Sequence, residues 1–173
     1  ACESGKYQGS TGTTVCVEVQ KGDYACLSGD GDGTGETSAA TASCDCPAGK
    51  YTASDGQTSC TACEEGKYQG STGTTVCTAA QQGYFASISD TATTSAATGE
   101  TQVAAGSYAC DAAEGTPDGV GVTTLASGQC ACPAGKYTGS DGQTSCTDCE
   151  EGKYQGSTGT TVCTAAQQGY FAS

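Results

Sequence analysis

The chain has 173 residues, with 6 lysines against 19 acidic residues, a formal net charge of −13, and no arginine or histidine. Nucleic-acid binding needs clustered positive charge to displace counterions, and a Ser-His or Cys-His nucleophile needs an imidazole, so both readings fail on inventory. Two leucines, one isoleucine, two phenylalanines and no methionine or tryptophan leave too little apolar surface to offset chain entropy around one core. Order must then come from the 14 cysteines, an even set at recurring spacings that points to a disulfide framework and an oxidising compartment.

In chain order, the first element is the loop Cys2–Cys16, CESGKYQGSTGTTVC. It returns as Cys63–Cys77 and Cys149–Cys163 with Glu in place of Ser4. A related loop, CPAGKYTASDGQTSC, spans Cys46–Cys60 and returns as Cys132–Cys146 with Gly139 in place of Ala53. These five loops use ten cysteines. Cys26 with Cys44 and Cys110 with Cys130 use the other four, so nearest-neighbour pairing leaves none over, although spacing alone leaves crossed pairings open. Each closed loop of about 15 residues would contribute roughly 3 kcal/mol by restricting the unfolded chain.

Residues 46–87 and 132–173 match at 40 of 42 positions, a period of 86. A shorter period lies inside it, in which a glycine is followed by a tyrosine. It recurs at Gly5/Tyr7, Gly22/Tyr24, Gly49/Tyr51, Gly66/Tyr68, Gly83/Tyr84, Gly106/Tyr108, Gly135/Tyr137, Gly152/Tyr154 and Gly169/Tyr170. We read this as a ladder of about nine rungs, each giving one ring to a thin continuous stack; the alternative is that each Tyr lids its own disulfide. The flanks Lys-Tyr-Gln and Thr-Thr-Val are short and β-prone, separated by Gly-Ser or Asp-Gly turns. The expected fold is an elongated ladder of small disulfide-rich repeats, short β-hairpins and coil, with no single hydrophobic core and essentially no helix. The repeats divide the chain at 1–45, 46–131 and 132–173, the last apparently continuing in a longer protein.

Three stretches invite a chemical reading. In Ser28–Glu36, Asp30, Asp32 and Thr34 alternate ahead of Gly35 like the first half of a calcium loop, but the closing glutamate is missing. Asp30 and Asp32 are the calcium candidates, and no other cofactor is implied. Cys60-Thr-Ala-Cys63 and Cys146-Thr-Asp-Cys149 have the spacing of redox or zinc pairs, yet they are explained as the boundaries of consecutive loops. Residues 86–104 lack cysteine and read as an exposed loop or a rung held without a disulfide. Their Thr91, Thr93, Thr94 and Ser95 are candidates for O-linked sugars; the chain has no Asn for N-linked ones.

The combination of Cys-Pro-Ala-Gly-Lys-Tyr, Gly-Gln-Thr-Ser-Cys-Thr-x-Cys and Gly-Thr-Thr-Val-Cys resembles the cysteine-rich repeat of ephrin receptors. It also resembles the related growth-factor-receptor and tumour-necrosis-factor-receptor modules. The resemblance implies that each such loop is closed by its own two cysteines, Cys46 with Cys60 and its counterparts, and it implies an extracellular or cell-surface location. Arrays of these repeats also occur in protist surface antigens and extracellular filaments, a usage that the near-identical repeats here look more like. The module serves receptors, adhesins and fibres alike, so it does not fix a function. The expectation is a non-catalytic structural subunit of an extracellular filament or surface coat, self-associating, with no nucleic-acid partner and no membrane span. The alternative is the ligand-binding or adhesive stalk of a receptor or surface antigen.

Overall fold

The computed structural model describes residues 2–10, 12, 14–36, 39–87, 96–111, 121 and 126–168. No helix occurs among them; sixteen short strands pair into eight two-stranded antiparallel sheets. Five of these sheets have strands of two residues. They pair β1 (Lys6–Tyr7) with β2 (Val17–Glu18), β5 (Lys50–Tyr51) with β6 (Thr61–Ala62), and β7 (Lys67–Tyr68) with β8 (Thr78–Ala79). Near the end of the chain, β13 (Lys136–Tyr137) pairs with β14 (Thr147–Asp148), and β15 (Lys153–Tyr154) with β16 (Thr164–Ala165). The remaining sheets have four-residue strands: β3 (Asp23–Cys26) with β4 (Ala42–Asp45), β9 (Tyr84–Ser87) with β10 (Gly99–Gln102), and β11 (Ser107–Cys110) with β12 (Gly128–Ala131). Each of the five two-residue sheets corresponds to one of the C-x13-C loops.

The 14 cysteines form seven disulfides: Cys2–Cys16, Cys26–Cys44, Cys46–Cys60, Cys63–Cys77, Cys110–Cys130, Cys132–Cys146 and Cys149–Cys163. These are the nearest-neighbour pairs, and no cysteine is free. The chain is a cysteine-rich repeat protein in which disulfides staple tandem hairpins. Among the described residues, no helix is long and apolar enough to cross a membrane.

Two compact units are formed, one from Ala1–Thr78 with Ile88–Gly99 and the other from Ala79–Ser87 with Glu100–Ser173. The same rules build each. Within a unit, a rung begins three residues before its glycine, and the first N–H of that rung donates to the carbonyl of the preceding rung's glycine. In the first unit these bonds are Val19 to Gly5 (3.0 Å), Cys46 to Gly22 (2.9 Å) and Cys63 to Gly49 (2.9 Å). In the second they are Val103 to Gly83 (3.0 Å), Cys132 to Gly106 (2.9 Å), Cys149 to Gly135 (2.9 Å) and Ala166 to Gly152 (2.8 Å). The glycines also explain themselves. Gly22 has φ 94°, and a Cβ placed on it would lie 2.5 Å from the carbonyl oxygen of Gly73, two rungs on. Gly5 is approached in the same way by Gly56, Gly83 by Gly142 and Gly106 by Gly159. Only a residue without a side chain admits a backbone there, and positive φ excludes other residues independently.

Among the described residues the interior is divided among four small clusters, each holding one aromatic ring. Tyr24 packs with Cys26, Cys44, Cys46 and Cys60, and Tyr108 with Cys110, Cys130, Cys132 and Cys146. The other two clusters are aliphatic: Val19, Ala25 and Ala40 with Tyr7, and Val103, Ala109 and Ala126 with Phe85. The clusters differ from the continuous aromatic stack expected from the tyrosine period, because half-cystines and small aliphatic residues separate the rings.

Candidate functional site: a repeated surface notch

The sequence-predicted residues fall in different places. Tyr24 and Tyr108 are fully buried; Tyr7, Tyr51, Tyr68, Tyr84 and Tyr137 are half-buried, and Tyr154 is exposed. The buried pair belongs to the two long rungs that carry their own disulfide, Cys26–Cys44 and Cys110–Cys130. Gly35 and Gly121 lie against the pair, where a Cβ would come within 2.6 Å of the Tyr24 or Tyr108 ring. The Gly33 N–H donates to the Tyr24 hydroxyl at 3.3 Å. Burial raises the Tyr24 phenol above its ordinary value, and the Gly33 bond partly opposes this. Nothing in the composition of the two long rungs marks these glycines; only their separation by one 86-residue period does.

Tyr84 needs a correction. In the rung of Gly83 the ring that enters a cluster belongs to Phe85, which takes the place that Tyr7 holds in the rung of Gly5. The constant signal is an aromatic residue two positions after the glycine, and seven of the nine motifs show it with tyrosine. Tyr170 and the four sugar candidates Thr91, Thr93, Thr94 and Ser95 lie outside the described residues.

Asp30 and Asp32 serve the turn itself. The Leu27 N–H donates to Asp30 Oδ2 at 3.1 Å, and Asp32 Oδ1 accepts from the Thr34 N–H at 2.8 Å and the Thr34 hydroxyl at 2.6 Å. These Thr34 bonds hold the Asp32 carboxyl below its ordinary value. Lys50 Nζ donates to the Asp32 carbonyl at 2.6 Å. No group of three metal-ligating side chains is assembled among the described residues.

The surface feature that recurs is a notch between successive loops. Tyr51, Glu64, Lys67, Val76 and Cys77 line one copy, and Tyr137, Glu150, Lys153, Val162 and Cys163 line the other, each residue one 86-residue period on. An ion pair forms one wall, Lys67–Glu64 at 2.7 Å and Lys153–Glu150 at 2.6 Å. The hydrogen bond to lysine holds each glutamate below its ordinary value and raises the lysine. Opposite stand the exposed valines, 63% and 65% accessible, and Val15 of the first loop is equally bare at 68%.

A glutamine shapes the loop that presents each valine. Gln69 Nε2 donates to the Val76 carbonyl at 2.9 Å while its Oε1 accepts from the Ser71 N–H at 3.0 Å. Gln155 repeats this with Val162 at 3.1 Å and Ser157 at 2.8 Å. In the alternate loops the same position is Thr52 or Thr138, both buried. Their hydroxyls accept from Gly22 N–H at 2.7 Å and Gly106 N–H at 2.8 Å, tying a loop to the rung before it. Sequence reading missed this division of labour, although the Gln/Thr alternation after Lys-Tyr was its signal.

The notch volumes, about 60 Å³ at Tyr51 and about 230 Å³ at Tyr137, fall below the roughly 300–1,000 Å³ of small-molecule sites. The notch suits the edge of a larger surface contact better than it suits a substrate. Neither a protein-family model nor any curated protein matches the chain.

Proposed function

We propose that this chain is a non-catalytic structural segment of an extracellular filament or cell-surface coat. The observation that carries the reading is the recurrence of one surface at a fixed sequence period: an exposed valine, an ion pair and a tyrosine edge, built from the same residues one 86-residue repeat apart. A repeated surface meets a repeated partner at regular intervals, and a head-to-tail contact that does not close on itself grows into a fibre. Seven disulfides support an oxidising, extracellular setting. The hairpin stapled by its own two cysteines supports the likeness to ephrin-receptor-type repeats.

Electron microscopy of native, unreduced material tests the proposal. Fibres with an axial repeat set by the 86-residue unit are expected, and they should be lost on reduction. Replacing Val76 and Val162 by lysine should prevent assembly while leaving the fold of each chain intact. Dispersed single chains at all concentrations would overturn the filament reading and favour a receptor stalk.

A further inference from the structure

We propose that the rung between Cys77 and Cys110 is a yielding element, the place where a chain under tension opens first and recloses. Its strands β9 and β10 follow the plan of the two neighbouring long rungs, with one replacement. In those rungs a disulfide joins the residue four after the rung glycine to the residue two before the next rung's first N–H donor: Cys26 to Cys44, and Cys110 to Cys130. The corresponding residues here are Ser87 and Thr101. Their hydroxyls meet at 2.7 Å, so an exposed hydrogen bond stands where the plan places a covalent bond.

The consequence follows from how a disulfide carries load. Tension along the backbone bypasses every closed loop, so only residues between loops can extend. Between consecutive loops there are usually one or two such residues, and nine between Cys16 and Cys26; between Cys77 and Cys110 there are 32. An exposed hydroxyl pair breaks and re-forms thermally, whereas a disulfide does not. The rung is also closed by non-covalent contacts: Glu100 accepts from the Gln81 N–H at 2.8 Å and from Gln81 Nε2 at 2.9 Å, Val103 N–H donates to Gly83 O at 3.0 Å, Ala86 N–H donates to Ala126 O at 2.9 Å, and Phe85 packs in its cluster. These contacts re-form without any covalent step once tension falls. Thr164–Ser173 repeats Thr78–Ser87 residue for residue, so Ser173 stands where Ser87 does, one 86-residue period on. Its use rests on the tension-carrying role proposed above, whereas its opening is a property of the single chain.

Single-molecule pulling on the oxidised chain, attached at residues 1 and 173, tests the opening. The first and lowest-force event should release a length bounded by 32 extended residues, at most about 115 Å. In S87C/T101C, with the added disulfide confirmed by mass, residues 88–100 are shielded and the released length should shorten by about 45 Å. In S87A/T101A the length should stay and the opening force should fall.

An unchanged first-event length in the oxidised double-cysteine chain would overturn the proposal. So would a first event matching the nine residues between Cys16 and Cys26. An unchanged force in S87A/T101A would overturn the role of the hydroxyl pair even if the double-cysteine chain did not fold. Chains that open as described but never assemble would defeat the filament reading alone, and fibres whose chains yield elsewhere would defeat this one alone.

Discussion

Glycine in this chain meets two demands that can be separated by experiment. Gly22 and Gly12 have nearly the same φ, 94° and 89°, so alanine at either position suffers the same left-handed strain, about 1–2 kcal/mol. They differ in surroundings: a Cβ on Gly22 meets the Gly73 carbonyl at 2.5 Å, while one on Gly12 meets nothing within 4 Å. Gly12→Ala should therefore cost only the strain, and Gly22→Ala at least about 2 kcal/mol more, because backbone two rungs away must move. Denaturant midpoints of the two variants measure the difference directly. Equal losses would mean that the close approach between alternate rungs contributes nothing.

A second residue-scale case is Asp23, opposite Asp45 in the β3–β4 register. Burial chiefly raises its carboxyl above the ordinary value; Ser43, donating at 2.9 Å, opposes this and Asp45 adds to it. A raised folded-state value favours the protonated form. The stability it confers is fully present below the unfolded value, and it is lost as pH rises through the folded one. Asp23→Asn stays neutral throughout, so it should melt higher than the parent at pH 7 and at the same temperature near about pH 3. A difference of the opposite sign at neutral pH would show that the ionised carboxylate is the stabilising form.

At the scale of the element, the rung shows which features a sequence exposes and which it conceals. The cysteine loops were legible because a disulfide between residues 14 apart leaves a fixed spacing in the chain. The glycine period was legible as a pattern but not as a cause, since Gly22 answers to Gly73, far outside any local window. Phe85 was concealed because Tyr84 beside it continues the tyrosine series; the backbone counts positions from the glycine and accepts either ring. The continuous aromatic stack expected from the tyrosine period is replaced by separate clusters for a related reason. The recurring tyrosines suggested one ring per rung in a stack, but Tyr24 and Tyr108 are fully buried, with Gly35 and Gly121 lying against their rings, while Tyr154 is exposed. The rung of Gly83 was legible as a departure, and its solution, a serine–threonine hydrogen bond in a cystine's place, required the strand pairing.

For the whole molecule the question is how covalent closure and packing divide the work, and two of its disulfides separate them. Cys46–Cys60 and Cys63–Cys77 close loops of the same sequence separation, 14, so the unfolded-state restriction of about 3 kcal/mol is common to both. Their surroundings are not alike. Cys46 is fully buried and, with Cys60, packs on the Tyr24 ring, whereas Cys63 and Cys77 lie half-exposed outside the four clusters. Replacing both cysteines by alanine removes the same loop in each case, but only at 46 and 60 does it also leave a gap beside a buried ring. C46A/C60A should therefore lose about 1–2 kcal/mol more than C63A/C77A, the cost of emptying a small packed volume. Thermal and denaturant unfolding of the oxidised variants reads that difference, and reduction of the parent sets the scale by removing all seven links. If the two variants lose stability equally, the clusters are incidental and the fold is held by its loops alone. If the predicted gap appears, the small clusters stabilise the rungs beyond what closure provides, and each buried cystine acts as both link and core.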